Sequence, residues 1–255
     1  TLPPYGPDEL DNYELGWKTN FGAFRFNGAV YQLDWNNIQL SFLGANGLSE
    51  VRNAGIARIR GVELDLGYRQ GGFSINAGVS YNDAEIRRDF CAIANPQFDC
   101  TIDVDLNGNG IVGDRPNEIN DTLAPSGSRL PVTAKFKGNV VARYEFPISD
   151  WNGHFQVAAN HTGGRRSDLR PFQAGIKGGL DAYTTVDLSF GVKNDLWSIE
   201  AFATNVLDEI GVINTGVSCV ETICGDPGGG TALGGTFYDT LIKPRVIGLK
   251  FSRDF

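Results

Sequence analysis

The 255-residue chain reads as an all-β protein, an antiparallel up-and-down transmembrane β-barrel. Three observations predict this. Side chains alternate between apolar and polar over long spans, connections alternate between short and long, and aromatic residues gather at strand ends. Composition narrows the field. Apolar residues make up 41%, charged residues 20%, and glycine is frequent at 33 residues, which excludes a disordered chain and a collagen-like fibre. A net charge of −8 argues against a nucleic-acid partner, which needs a basic face. No run approaches the ~18–20 apolar residues of a spanning helix, so a membrane crossing must use strands. The chain contains no methionine and is expected to be processed or part of a longer polypeptide.

The strands follow in order. Tyr13, Leu15 and Trp17 alternate with Asn12, Glu14, Gly16 and Lys18. Between Ala23 and Ile38 the apolar phase changes, from Phe24 and Phe26 to Ala29, Tyr31, Leu33 and Trp35, and a bulge is expected there. Val62, Leu64, Leu66 and Tyr68 oppose Glu63, Asp65 and Gly67, and Phe73 to Tyr81 is apolar at every odd position. Val132 to Phe146 holds strict alternation for fifteen residues, where a globular strand usually runs ~5–6. Phe155–Asn160, Thr185–Val192, Trp197–Thr204 and Ile247–Phe255 complete nine strands, and no helix is expected.

Short links fall near Asn20–Gly22, Gln70–Gly72, Pro147–Asp150 and Asn194–Asp195, and long loops near 43–52, 88–129, 163–181 and 206–241. An up-and-down sheet does this when its two rims face different compartments. A soluble sandwich would have strands half as long, with turns every ~8–12 residues. In lipid the outward set must be apolar, which places Phe136, Leu188 and Phe251 outside. Glu14, Glu63, Asp65, Lys135, Lys137, Arg143, Asp187 and Glu200 then face a lumen holding water or a polar plug.

With the strands placed, the segment Pro244 to Phe255 resembles the last strand of TonB-dependent outer-membrane receptors, and Ala203-Thr204-Asn205-Val206-Leu207-Asp208 the strand before it. Tyr13 to Lys18, Val30 to Ile38, and Asn53-Ala54-Gly55 to Gly61-Val62-Glu63 fit the same barrel in the same order. The terminal Phe255 is similar to a barrel-assembly signal, from which Arg253 departs. The resemblance implies about nine C-terminal strands of a 22-stranded, plugged barrel, with residues 1–255 forming the C-terminal portion and the plug and earlier strands absent. It implies ligand-gated, TonB-dependent uptake of a scarce nutrient such as a ferric siderophore or a glycan. The implied partners are the remaining barrel and plug, the TonB energy-coupling protein, outer-membrane lipid and lipopolysaccharide. A passive porin or structural barrel is the alternative, and a soluble ligand-binding β-protein the weakest.

Four features could carry chemistry. Asp103, Asp105, Asn107, Asn109 and Asp114 place oxygen side chains with the alternation of a calcium loop, although neither register completes one; an Asn/Gly-rich turn is the other reading. Cys91 with Cys100 and Cys219 with Cys224 are expected as local disulfides, which implies an extracytoplasmic compartment. Arg165, Arg166 and Arg170 form the one basic patch, either an anion-binding loop or a solvated one. His154 and His161, seven apart, point to opposite faces of one strand and read as ordinary strand residues. No catalytic arrangement is legible, and no enzyme is expected.

Overall fold

The computed structural model describes residues 5–43, 49–91, 99–101, 103, 110–111, 120–219 and 236–254. The elements in chain order begin with β1 (Glu9–Phe21), β2 (Phe24–Asn36), β3 (Gln39–Leu43), β4 (Ser49–Asn53), β5 (Ala57–Gln70) and β6 (Phe73–Ile86). Next come β7 (Phe90–Cys91), β8 (Thr122–Ala124), β9 (Phe136–Ile148), β10 (Trp151–Thr162), β11 (Arg165–Arg166) and α1 (Pro171–Lys177). The last are β12 (Gly179–Leu180), β13 (Tyr183–Lys193), β14 (Trp197–Thr204), β15 (Val212–Cys219), β16 (Thr236–Leu241) and β17 (Val246–Arg253). Nine strands form one sheet in the order β1-β2-β5-β6-β9-β10-β13-β14-β17. Every neighbouring pair is antiparallel, and β1 and β17 are the two edges.

One rim is made of tight links. β1 and β2 turn about Gly22 and β5 and β6 about Gly71, at φ +57° and +58°, a region glycine enters without strain. At the link between β13 and β14, Asn194 Oδ1 accepts the N–H groups of Leu196 (3.0 Å) and Trp197 (2.8 Å). The other rim carries the long connections, each with its own hairpin: β3–β4, β7–β8, β11–β12 and β15–β16. The connection after β14 is clamped by Asn205, at φ +49°, whose N–H donates to Asp187 (2.8 Å) and whose amide donates to Glu209 O (2.9 Å) and Lys243 O (3.1 Å).

Side-chain period and register together assign the faces. Phe136, Leu188 and Phe251 point outward and are 44%, 36% and 64% exposed, as the membrane reading requires. On β6 the apolar outward set runs from Phe73 to Tyr81, about 27 Å along the strand. That matches the ~25 Å apolar band of an outer-membrane barrel. Aromatic contacts lie towards its lower end, Phe24 on Tyr68 (4.6 Å between centroids) and Trp197 on Phe251 (5.1 Å).

Above Tyr81 the two faces exchange character. The outward row continues as Arg60, opposite Gln32 and Asp83, and Arg60 donates to Gln32 (2.9 Å) while Lys135 pairs with Asp83 (2.6 Å). The inward row becomes Leu33, Trp35, Ile59, Ala84 and Ile86, and the long connections pack onto it. Ile38, Ala54, Ala57, Ile86, Ala124 and Leu169 form a dry core there, each no more than 1% exposed. Beyond the lipid, water meets the outer face and the folded connections meet the inner one.

This exchange corrects several expectations. β2 pairs with both neighbours without a register shift, so there is no bulge. The phase change in its sequence marks the height at which the apolar side switches faces. Lys135, expected in the lumen, lies one residue before β9, outside its ladder, and pairs with Asp83 instead. The alternation from Val132 does not start a strand: Val132 sits at φ +58°, its N–H donates to Arg166 O (2.8 Å), and β9 begins at Phe136. One short helix does form, α1, with Pro171 in its first turn, where a missing N–H costs nothing.

Candidate functional site

Two surfaces of the chain can carry function, the inward wall and the cap of long connections above it. The wall carries an open trough of ≈ 810 Å³ lined by side chains such as Glu14, Glu63, Asp65, Lys137, Asn139 and Asn160 from strands β1 to β10. Small residues at Gly16, Ala29 and Ser80 open it. Arg25 pairs with Asp65 (3.2 Å), and Asn139 Oδ1 accepts the Gly78 N–H (2.8 Å). The Tyr31 hydroxyl donates to Asn82 and lies beside Glu63. Nearer the tight turns, His154 is within hydrogen-bond distance of Glu200 (3.0 Å). Such a wall is matched to water or to a polar polypeptide, because close-packed apolar filler would leave its charges uncompensated.

The cap is built differently. Leu169 enters the dry core, and the residue before it, Asp168, is nearly buried between Arg170 (3.0 Å) and Lys177 (2.7 Å). Burial pushes the Asp168 carboxyl up, but hydrogen bonds from Arg170 and Lys177 outweigh it and hold the group below the ordinary carboxylate range. The Ser167 hydroxyl donates to Gly178 O (2.6 Å), closing the turn that carries α1. Arg165 is 7% exposed, donates to Val212 O (2.6 Å) and Ile213 O (3.1 Å), and lies over the Tyr183 ring. It therefore ties the connection after β10 to the hairpin after β14. Between these connections lies a second cavity of ≈ 360 Å³, lined by Ser41, Ser49, Asn214 and Lys177 among others.

The sequence-predicted residues fare unevenly. Cys91 and Cys100 form a disulfide, with Cα atoms 5.1 Å apart. The Cys219–Cys224 pairing lies outside the described residues, as do Asp105, Asn107, Asn109 and Asp114. Asp103 accepts the Asn120 N–H (2.8 Å). The three arginines of the basic patch have different surroundings: Arg165 faces backbone carbonyls, Arg170 faces Asp168, and Arg166 is half-buried on β11. His154 and His161 do face opposite sides, towards Glu200 and Thr184 (2.9 Å). Asp168 and Lys177 were not singled out by sequence reasoning. Their nine-residue separation across a short helix carries no periodic signal, and only the apolar Leu169 beside Asp168 hints at burial.

The geometry has close counterparts. The family model described as TonB dependent receptor-like, beta-barrel, matches residues 3–206. The ferric yersiniabactin uptake receptor FyuA from Yersinia pestis superposes with a TM-score of 0.66 at 17% identity, over 97% of this chain and 30% of that one. BauA, the ferric preacinetobactin receptor from Acinetobacter baumannii, gives 0.59 at 15% identity, over 96% and 29%. The copper transporter OprC gives 0.60 at 14% identity, over 97% and 31%. No curated protein matches. The chain thus spans about three tenths of the length of these structures. By its matched residues and its fold, the chain belongs to the TonB-dependent receptor-like β-barrel family.

Proposed function

We propose that this chain is the C-terminal wall of a ligand-gated outer-membrane receptor that takes up a scarce nutrient, such as a ferric siderophore or a glycan, with energy from TonB. The observation that carries the reading is the direction of the sheet's two edges. β1 and β17 both run from the rim of long connections to the rim of tight turns. Two strands of the same sense cannot pair antiparallel, so the sheet closes as an all-antiparallel barrel only when an odd number of further strands lies between them. Unpaired edges in lipid cost several kcal/mol per group, which favours closure by the remaining barrel of the same receptor. The charged lumen suits a plug, and the apolar band suits outer-membrane lipid and lipopolysaccharide. A calcium ion at Asp103, Asp105, Asn107, Asn109 and Asp114 belongs to the same proposal, and increased protease cleavage of that loop in chelator checks it.

The test is uptake in the producing bacterium, with the receptor gene and the energy-coupling gene deleted separately. A panel of iron chelates and oligosaccharides is expected to contain a nutrient whose uptake falls in both strains. Uptake that needs the receptor and is indifferent to TonB makes the barrel a passive porin and overturns the reading.

A further inference from the structure

We propose that the outward face of β13, β14 and β17 holds one phospholipid of the leaflet beside the tight turns, a lipid whose headgroup carries both a phosphate and an ammonium. This rests on the membrane-facing fold and not on the uptake reading. An open groove of ≈ 570 Å³ runs over this face. Its floor is Ala201 and Ala203 of β14. Register places Phe190 and Leu188 of β13 on one side of them, and Leu249 and Ile247 of β17 on the other. The groove is therefore one strand wide, about 10 Å between its walls, and every outward side chain that lines it is apolar. The medium decides what fills it. The outward face meets hydrocarbon, where a void forfeits contacts and a fatty-acyl chain restores them. The length fits one leaflet. Ala203 lies six residues beyond Trp197, at the tight-turn end of β14, or about 20 Å along the strand. At the ~40° tilt of such barrels this spans about 15 Å of depth, half of the ~30 Å hydrocarbon core.

The tight-turn end of the face supplies the headgroup chemistry. Ile247, Leu249 and Phe251 point outward from β17, and Arg253 follows them in the same phase. Its guanidinium lies over the Trp197 ring, 4.8 Å from the centroid, and Trp197 rests on Phe251 (5.1 Å). A cation fixed on an aromatic ring at the edge of the apolar band stands at the depth of lipid phosphates. The guanidinium presents five N–H donors in one plane, so a phosphate joins the partners that Arg253 already has. The neighbouring charges set the rest of the headgroup. Lys193 ends β13 in the lumen-facing phase, Asp195 lies in the link to β14, and Asp254 follows Arg253 and donates its N–H to Leu196 O (3.0 Å). All four charged residues are exposed, two of each sign. A purely anionic headgroup meets repulsion from Asp195 and Asp254, whereas a phosphate and an ammonium together match both signs.

The experiment is native mass spectrometry of the complete receptor in detergent, titrated with dipalmitoyl phosphatidylethanolamine and, separately, with dipalmitoyl phosphatidylglycerol. Saturable binding of one phosphatidylethanolamine is expected, with phosphatidylglycerol about tenfold weaker. Ala203→Phe fills the floor of the groove and Arg253→Gln removes the guanidinium, and each is expected to weaken binding about tenfold or more. Asp254→Asn is expected to narrow the difference between the two lipids. If Arg253→Gln fails to assemble, Ala203→Phe decides, because that side chain faces lipid and the backbone ladder is left intact. Binding that does not saturate, equal affinity for the two lipids, or affinity unchanged by Ala203→Phe overturns the site. So does a receptor dimer that Ala203→Phe breaks, since a second copy is then what covers the groove. Lipid binding in detergent needs neither nutrient nor TonB, so a receptor that fails here can still pass the uptake experiment, and the reverse.

Discussion

The same strands are two different proteins below and above the row that joins Val62 to Tyr81. Below it, β2, β5 and β6 turn Phe26, Leu66 and Val79 outward and Asn27, Asp65 and Gly78 inward. Above it they turn Arg58 and Arg60 outward and Ile59, Trp35 and Ile86 inward. The backbone ladder does not change across the boundary; only the medium does. A strand is indifferent to which face is apolar, provided the apolar face meets hydrocarbon or a packed core. The charges differ in kind as well. In the wall, Arg25 and Asp65 are about half exposed, and in the cap Asp168 is 7% exposed.

Four measurements sharpen or break this contrast. Leu169→Ala removes a side chain from the dry core and is expected to loosen the cap by about 4 kcal/mol. Hydrogen exchange should speed up at cap amides and stay slow in the nine-stranded sheet; equal loss in both regions denies them separate cores. Leu66→Arg puts a cation against hydrocarbon and is expected to cost about 3 kcal/mol in barrel stability. Arg60→Leu, six residues along the same face, is expected to change it by less than about 1 kcal/mol. Similar denaturation shifts for these two would place the boundary elsewhere.

Asp168→Asn leaves Arg170 and Lys177 without their carboxylate and is expected to cost the cap about 2 kcal/mol. Because Asp168 is held below the ordinary carboxylate range, its contribution is complete above about pH 4 and is lost as pH falls through the lowered value. Cap protection in the wild type should fall over that window, and Asp168→Asn should remove that step from the profile. The smallest effect belongs to Arg25→Gln in the wall, under about 0.5 kcal/mol by melting, since a half-exposed pair is solvated whether or not it forms.

The wall was legible because lipid imposes a period of two that nothing local can disguise. Strand count, tight turns and the outward Leu188 and Phe251 all follow from it. At Leu33 and Trp35 the same signal misled, since an apolar residue in sequence does not say whether hydrocarbon or a folded connection covers it. The cap was not legible for a different reason. Asp168 meets Lys177 through a turn closed by Ser167, and Arg165 meets Val212 across 47 residues, contacts set by tertiary packing with no recurring spacing. The Cys91–Cys100 bridge was the exception, because a short separation makes local pairing the simplest geometry.

β5 and β6 continue past the last outward aromatic, Tyr81, by five residues on β6. The palisade is therefore taller than the sea it stands in, and it lifts the folded connections clear of the lipid headgroups.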